Sequence, residues 1–267
     1  MIRVEIIAVG REILTGRTLD TNSHWIAGRI TALGGVLGRI VSVDDNLDDI
    51  SAEIASSVAR GADVVITTGG LGPTADDMTL EGMARGLGRG LSLDAAALEF
   101  VRKRYELFFE QGYVDSKEMT PSRRKMAVIP EGGEWLSNGV GAAPGIKLEA
   151  QGTVFFALPG VPEEMRSIFE ESVEPFLRKL FSGIVRLEES MATGIGDESI
   201  LTPILKRVMK RLKGVYLKPD PKGFGTGVDI GVYISVRADD KGKARARMNC
   251  ARRMLLSELE SARRGSR

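Results

Sequence analysis

Residues 64–77 read Val64-Val65-Ile66-Thr67-Thr68-Gly69-Gly70-Leu71-Gly72-Pro73-Thr74-Ala75-Asp76-Asp77, and their reading decides the fold. Val64-Val65-Ile66 has no polar alternation, the pattern of a parallel strand buried on both faces. The run ends in glycines and then meets two adjacent carboxylates. In an open α/β sheet, ligands sit beyond the carboxyl ends of the strands, which is where this loop falls. Gly69, Gly70 and Gly72 carry no Cβ, so backbone N–H groups can come close to an anion. Asp76 and Asp77 can hold a hard cation such as Mg²⁺, which takes oxygen ligands and bridges to phosphates. The same letters also spell a tight strand-to-helix turn, with Pro73 in the turn and Asp76 or Asp77 as a helix N-cap. Neither standard glycine-rich nucleotide loop is present. No Lys-Ser/Thr pair follows the last glycine, and Gly69-Gly70-Leu71-Gly72 lacks the dinucleotide spacing.

Working outward, residues 4–9 and 36–43 read as further strands. Ile26, Ile30 and Leu33 mark one face of a helix capped by Asn22 or Ser23, and Ile50, Ile54 and Val58 mark another that Gly61 closes. A short helix is expected over 78–87 and a longer one over 94–111. Strand-like runs follow at 126–129, 146–148 and 153–158, and Pro162 opens a helix. This alternation predicts an α/β domain over residues 1–180, three layers around a mostly parallel sheet. Residues 183–267 read as a second, small α+β unit of order β-α-β-β-α. There Val228, Ile230, Val232, Ile234 and Val236 alternate strictly, as in a strand with one buried face, and 218–225 reads as a loop.

The chain has 267 residues, 43% hydrophobic and 27% charged, an ordinary soluble composition. No apolar stretch approaches the roughly 18 residues of a membrane helix, so no membrane association is expected. Met1 to Glu5 run directly into a strand signal, and no signal peptide is expected. The one cysteine, Cys250, fits a packed thiol in a reducing compartment, and the expected location is cytoplasmic. His24 is the only histidine, which removes Cys/His zinc sites and leaves a Ser-His-Asp triad no second choice of base. Chemistry here must rest on carboxylates, amides, hydroxyls, Lys/Arg or a metal ion. Residues 241–267 carry nine Lys/Arg against two Glu, which leaves +7 there and −6 on the rest. Such a helix is either a solvated face or a nucleic-acid footprint.

Several motifs occur together: Gly10-Arg11-Glu12-Ile13-Leu14-Thr15-Gly16-Arg17, Thr21-Asn22, the loop over 67–79, Asn138-Gly139, Ala143-Pro144-Gly145 and Leu158-Pro159-Gly160-Val161-Pro162-Glu163-Glu164-Met165. In this order the chain resembles the competence/damage-inducible protein A (CinA) family over residues 3–180. The N-terminal domain of that family belongs to the molybdopterin-binding, MoaB/Mog-like superfamily. The tail, including Gly194-Ile195-Gly196-Asp197-Glu198-Ser199, resembles the KH-like α/β domain that follows in the family. Two departures stand out. Arg11 occupies a position where family members carry Asp, and here it can meet a substrate phosphate instead. The C-terminal amidohydrolase domain of full-length relatives has no counterpart, so nicotinamide mononucleotide deamidation is not expected.

The resemblance implies a nucleotide pyrophosphatase, cleaving the pyrophosphate of ADP-ribose or a similar small-molecule nucleotide with a divalent metal, Mg²⁺ or Co²⁺, and K⁺ as a further candidate. Pyrophosphate hydrolysis needs charge neutralisation, an oriented water and a proton route, and no histidine. The implied catalytic carboxylates are Asp77, Asp45 and Glu12, and the implied metal ligands are Asp76, Asp77 and Asp45. Substrate and phosphate contacts are expected from Thr68, Gly69, Gly70, Leu71, Gly72 and Thr74, from Arg11 and Asn22, from Asn138 and Gly139, and from Pro159, Gly160 and Glu163. A homo-oligomer is implied as well.

Plainer readings stand beside these. Asp44, Asp45 and Asn46 can cap the helix at Leu47, Glu12 can be a loop charge, Asn138-Gly139 can be a type I′ or II turn, and 159–162 can be only a strand-to-helix corner. The alternative function is molybdopterin binding in the same pocket, with molybdopterin as the cofactor. A third reading is a nucleic-acid module. A KH domain clamps the backbone with Gly-x-x-Gly between helices, whereas residues 223–227 lie between strand signals and do not match, so nucleic acid is not an expected partner.

Overall fold

The computed structural model describes residues 2–221 and 229–265, with side chains described up to 262. Two compact units divide the chain: Met1–Thr31 with Gly35–Leu180, and Ala32–Gly34 with Phe181–Arg267.

In the first unit the elements run β1 Arg3–Val9, α1 Arg11–Leu14, α2 Thr21–Ala32, β2 Val36–Val43, α3 Leu47–Ala59, β3 Val64–Thr68, α4 Thr79–Gly86, β4 Leu91–Leu93, α5 Ala95–Glu110, α6 Pro121–Lys125, β5 Val128–Pro130, β6 Glu134–Leu136, β7 Gly145–Ala150, β8 Thr153–Leu158, α7 Pro162–Ile168 and α8 Glu174–Leu180. A π-turn over Phe169–Val173 joins the last two. Six strands form one sheet in the order β2-β1-β3-β8-β7-β6. β3 lies between β1 and β8, parallel to both, and all five of its residues are buried. The unbroken apolar run is therefore the centre of the sheet, and β7 and β6 extend it antiparallel at one edge.

Side chains alternate across each strand. One set, Ile7, Val9, Val65, Phe155 and Ala157, packs with Ile50, Ile54, Leu80, Met83 and Val101 from α3, α4 and α5. On the opposite set, Phe156 meets Phe176 of α8 with ring centroids 5.3 Å apart, and Trp25 of α2 meets Phe169 at 5.2 Å. Helices thus cover both faces.

Several local details differ from the sequence reading. Asn22 and Ser23 lie inside α2, and Asp20 accepts from the Ser23 N–H at 2.9 Å. Of the three caps the sequence offered for α3, Asn46 serves, accepting from the Asp49 N–H, and Asp44 and Asp45 do not. The strand at 126–129 shifts to Val128–Pro130 and pairs with β4 in a separate two-stranded sheet. β4 and β6 were not expected, because three residues give no usable periodicity.

The second unit runs β9 Val185–Met191, α9 Glu198–Arg211, β10 Val215–Asp220, β11 Gly231–Ala238 and α10 Lys241–Gly265. Its antiparallel sheet has the order β10-β11-β9. The alternating Val232, Ile234 and Val236 pack against Leu201, Leu205, Val208, Ala251 and Leu255. Asp197 caps α9 by accepting from the Ser199 N–H, which accounts for much of the 194–199 motif. The expected loop at 218–225 is corrected in part: Lys218, Pro219 and Asp220 finish β10, because their backbones pair with β11. Residues 222–228, including the glycines at 223, 225 and 227, lie outside the described residues. In the basic segment 241–267, Lys243 pairs with Asp239 and Asp240 and Arg252 with Glu189, while Glu258 holds Arg207 and Arg211 of α9. Among the described residues no helix is long and apolar enough to cross a membrane.

Candidate functional site

β3 and β8 end side by side, and the loops that leave them meet. The Gly69 N–H donates to the Leu158 carbonyl at 3.0 Å. Gly69 and Gly70 have φ of +102° and +67°, conformations that glycine adopts without strain. Space imposes the same choice. A Cβ on Gly69 would fall 2.2 Å from the Val9 carbonyl oxygen, and one on Gly70 would fall 2.3 Å from Thr79 Oγ1. Thr79, fully buried at the start of α4, pins the turn: its Oγ1 donates to the Gly69 carbonyl at 2.7 Å and its N–H to the Gly70 carbonyl at 3.1 Å.

The next three backbone donors are free. Among the described residues the N–H groups of Gly70, Leu71 and Gly72 have no protein acceptor, and all three residues line a cavity of about 750 Å³. Successive unpaired amides after a strand form an anion-binding concavity. Asp77 closes the loop behind them, its Oδ2 accepting from the Thr74 N–H at 2.8 Å, and the single Thr74 hydroxyl proton lies between Asp77 Oδ2 and Asp76 Oδ1. Lys125 donates to the Thr74 carbonyl.

Of the residues the sequence singled out, Glu12, Asn22, Asp45, Thr68, Gly69, Gly70, Leu71, Gly72, Asp76, Asp77, Pro159 and Gly160 line this one cavity. Five do not. Arg11 forms a fork with Asp44, with Nε and Nη2 each 2.9 Å from a carboxylate oxygen, on the exposed surface. Thr74 serves the loop as described. Glu163 is exposed, and its neighbour Glu164 lines the cavity instead. The helical period explains the exchange, because adjacent positions point about 100° apart. Gly139 does not line the cavity, and it is absent from the residues with positive φ, so the expected type I′ or II turn is not formed. Asn138 is buried and builds the neighbouring loop. Its Oδ1 accepts from the N–H groups of Val140 and Gly141, and its Nδ2 donates to the Ala143 carbonyl at 2.8 Å and to Glu164 Oε2 at 2.6 Å. Tyr105, Phe108 and Tyr113 add an aromatic wall that sequence reasoning missed. Their only signal was an aromatic cluster at the end of a long helix.

The electrostatics are those of a carboxylate-rimmed anion loop. Burial pushes Asp45 above the usual carboxylate range, and Glu12, Asp76 and Asp44 nearby add to it, although the Arg11 N–H donates to Asp45 Oδ2 at 2.7 Å. Asp76 is held low, chiefly by the Thr74 hydroxyl. Burial also raises Glu164, against the Asn138 hydrogen bond. Among the described residues no group of three or more His, Cys, Asp or Glu side chains is gathered as a metal cage. Asp45, Asp76 and Glu12 share the cavity wall without being gathered into such a group.

Comparison with known proteins places this geometry. A protein of Aeropyrum pernix is 42% identical over 264 residues, 98% of this chain and 93% of that protein. One of Thermococcus kodakarensis is 39% identical over 240 residues, covering 90% of this chain and 92% of its own. Among solved structures, the protein CinA with unknown function from Thermoplasma acidophilum is 37% identical with a TM-score of 0.60, covering 66% of this chain and 97% of that one. The family model described as "Probable molybdopterin binding domain" matches residues 5–179, the span that carries the whole cavity. The chain therefore belongs to the family described as "Probable molybdopterin binding domain".

Proposed function

We propose that the first unit binds a small molecule in which a phosphate or pyrophosphate is joined to a flat heterocycle, and that the ligand is of the molybdopterin class. The observation that carries this reading is the run of unpaired amides at Gly70, Leu71 and Gly72, on the wall of a roomy cavity at the end of the central strand. Family membership supports the pterin class. Aromatic side chains in the same wall suit a flat ring. The test is to denature freshly purified protein, oxidise the extract and read pterin fluorescence. A stoichiometric pterin supports the proposal, and a protein that neither carries nor takes up a pterin refutes it.

A second reading, cleavage of the pyrophosphate in ADP-ribose-like nucleotides, is favoured by Glu12, Asp45 and Asp76 sharing one cavity and one field. A divalent ion held by Asp45 and Asp76 would neutralise phosphate charge there. The protein's own groups would hold the phosphates on the Gly70–Gly72 amides, and Glu12, on the same cavity wall, would orient the attacking water. A metal-by-substrate screen with ADP-ribose tests it. Turnover with any divalent ion supports the reading, and its absence across the screen removes it.

A further inference from the structure

Glu164 is a carboxylate on the wall of the same cavity, carried by α7 and far in sequence from the free amides. An ionised carboxylate has no donor to offer the phosphate end of a ligand. Glu164 is also half-buried, and a carboxylate is not kept there without donors. The protein supplies only part of what it needs. Asn138 Nδ2 donates to Oε2 at 2.6 Å, while among the described residues Oε1 receives no hydrogen bond. An ionised carboxylate has about four lone-pair sites, so both oxygens retain capacity.

A second, independent observation lies at the same corner. Asn22 also lines the cavity, is only 9% exposed, and donates from Nδ2 to the Gly160 carbonyl at 2.8 Å. Its Oδ1 is sealed from solvent and has no partner. Turning the amide over does not help, since Oδ1 would then face the Gly160 carbonyl and Nδ2 would be the orphan. Gly160 and Glu164 are four residues apart across the turn from β8 into α7. The corner therefore holds two acceptors short of a donor, of which Glu164 faces the cavity and the Asn22 oxygen is closed off beside it.

Resting on the reading above, we propose that the β8–α7 corner recognises the hydrogen-bond donors of the ligand's ring, with Glu164 as the specificity-determining residue, and that the ring carries the 2-amino-4-oxopyrimidine edge shared by pterins and guanine. That edge places a ring N–H beside an exocyclic NH₂, two parallel donors that match the two oxygens of one carboxylate. Adenine offers one exocyclic donor next to a ring acceptor, which would face Glu164 oxygen to nitrogen lone pair. Burial raises Glu164, and two incoming donors would restore its ionised form. Asn138, tied to both Glu164 and the 140–143 loop, fixes the carboxylate before the ring arrives.

The experiment is calorimetric titration of the purified full chain with GDP, IDP, ADP, dihydroneopterin triphosphate and inorganic pyrophosphate. GDP and IDP differ only in the 2-amino group. Losing a charge-assisted hydrogen bond costs on the order of 10- to 100-fold in affinity. The wild-type protein should therefore bind GDP or the pterin at least about 10-fold more tightly than IDP and ADP. The tighter of GDP and the pterin identifies the source of the ring. Glu164→Gln should bring the GDP-to-IDP ratio close to one, weakening GDP far more than pyrophosphate and without lowering Tm, and Glu164→Asp should restore part of the ratio. A merely structural Glu164 would instead lower Tm and weaken every ligand alike. ADP binding as tightly as GDP, or an unchanged ratio in Glu164→Gln, overturns the proposal. Should the glutamine variant fail to fold, the wild-type series decides alone. Pyrophosphate binding without discrimination among rings overturns this inference only, whereas no pyrophosphate binding overturns the anion-loop reading with it.

Discussion

Thr79→Val is the sharpest probe of the glycine turn. Valine matches threonine in shape, so the change removes one hydroxyl and little else. Thr79 is fully buried, and its Oγ1 is the partner of the Gly69 carbonyl at 2.7 Å. The variant leaves that carbonyl without its side-chain donor in the interior, which costs about 1–3 kcal/mol. For a unit of this size each kcal/mol shifts Tm by about 2–4 °C, so an apparent Tm lower by several degrees is expected in a calorimetric scan. Gly69 and Gly70 lead directly into the free amides, so pyrophosphate affinity should fall with stability, by about tenfold or more if the turn relaxes by an ångström. Thr79→Ser keeps the hydroxyl and should keep the affinity. A valine variant as stable as wild type, with pyrophosphate bound equally well, would refute the claim that Thr79 sets the loop.

Three further outcomes follow from the same geometry. Gly70→Ala should destabilise the first unit as well as remove anion binding, because φ is +67° and the new Cβ would lie 2.3 Å from Thr79 Oγ1; a stable, properly folded alanine variant in thermal unfolding would contradict this. Asp45→Asn should raise the Tm of the ligand-free protein at neutral pH. Burial and neighbouring carboxylates raise the folded-state pKa of Asp45, so its ionisation costs stability as pH rises above the unfolded value, and the advantage of the variant should vanish as pH falls below that window; Tm measured across pH 3 to 8 checks the sign. Arg11→Ala should leave pyrophosphate affinity unchanged, since Arg11 is forked to Asp44 and does not line the cavity; a marked loss in titration would show that the fork opens to meet the ligand.

The sequence by itself determined the central strand, the order of elements and the glycine loop. Each rests on a local rule. An unbroken Val64-Val65-Ile66 must be covered on both faces, the spacing of Ile50 and Ile54 can only be helical, and glycines in tandem mark a turn that no side chain can fill. The two-unit organisation was equally legible, because the strict alternation in β11 belongs to a sheet with one open face. Tertiary structure alone decided which polar residues share the cavity. Glu163 and Glu164 are indistinguishable as letters, and only the docking of α7 turns the second inward. Asn138 reads as a turn residue, yet burial beside the 140–143 loop makes it the brace for Glu164. Arg11 looks like a phosphate ligand until Asp44, 33 residues away, is folded against it. Short β4 and β6 exist because a neighbouring backbone pairs with them, and not through any pattern of their own. Local conformation is written in spacing, but the partner of a polar side chain is set by which distant segments the core brings together, and that information is carried by no single window of sequence.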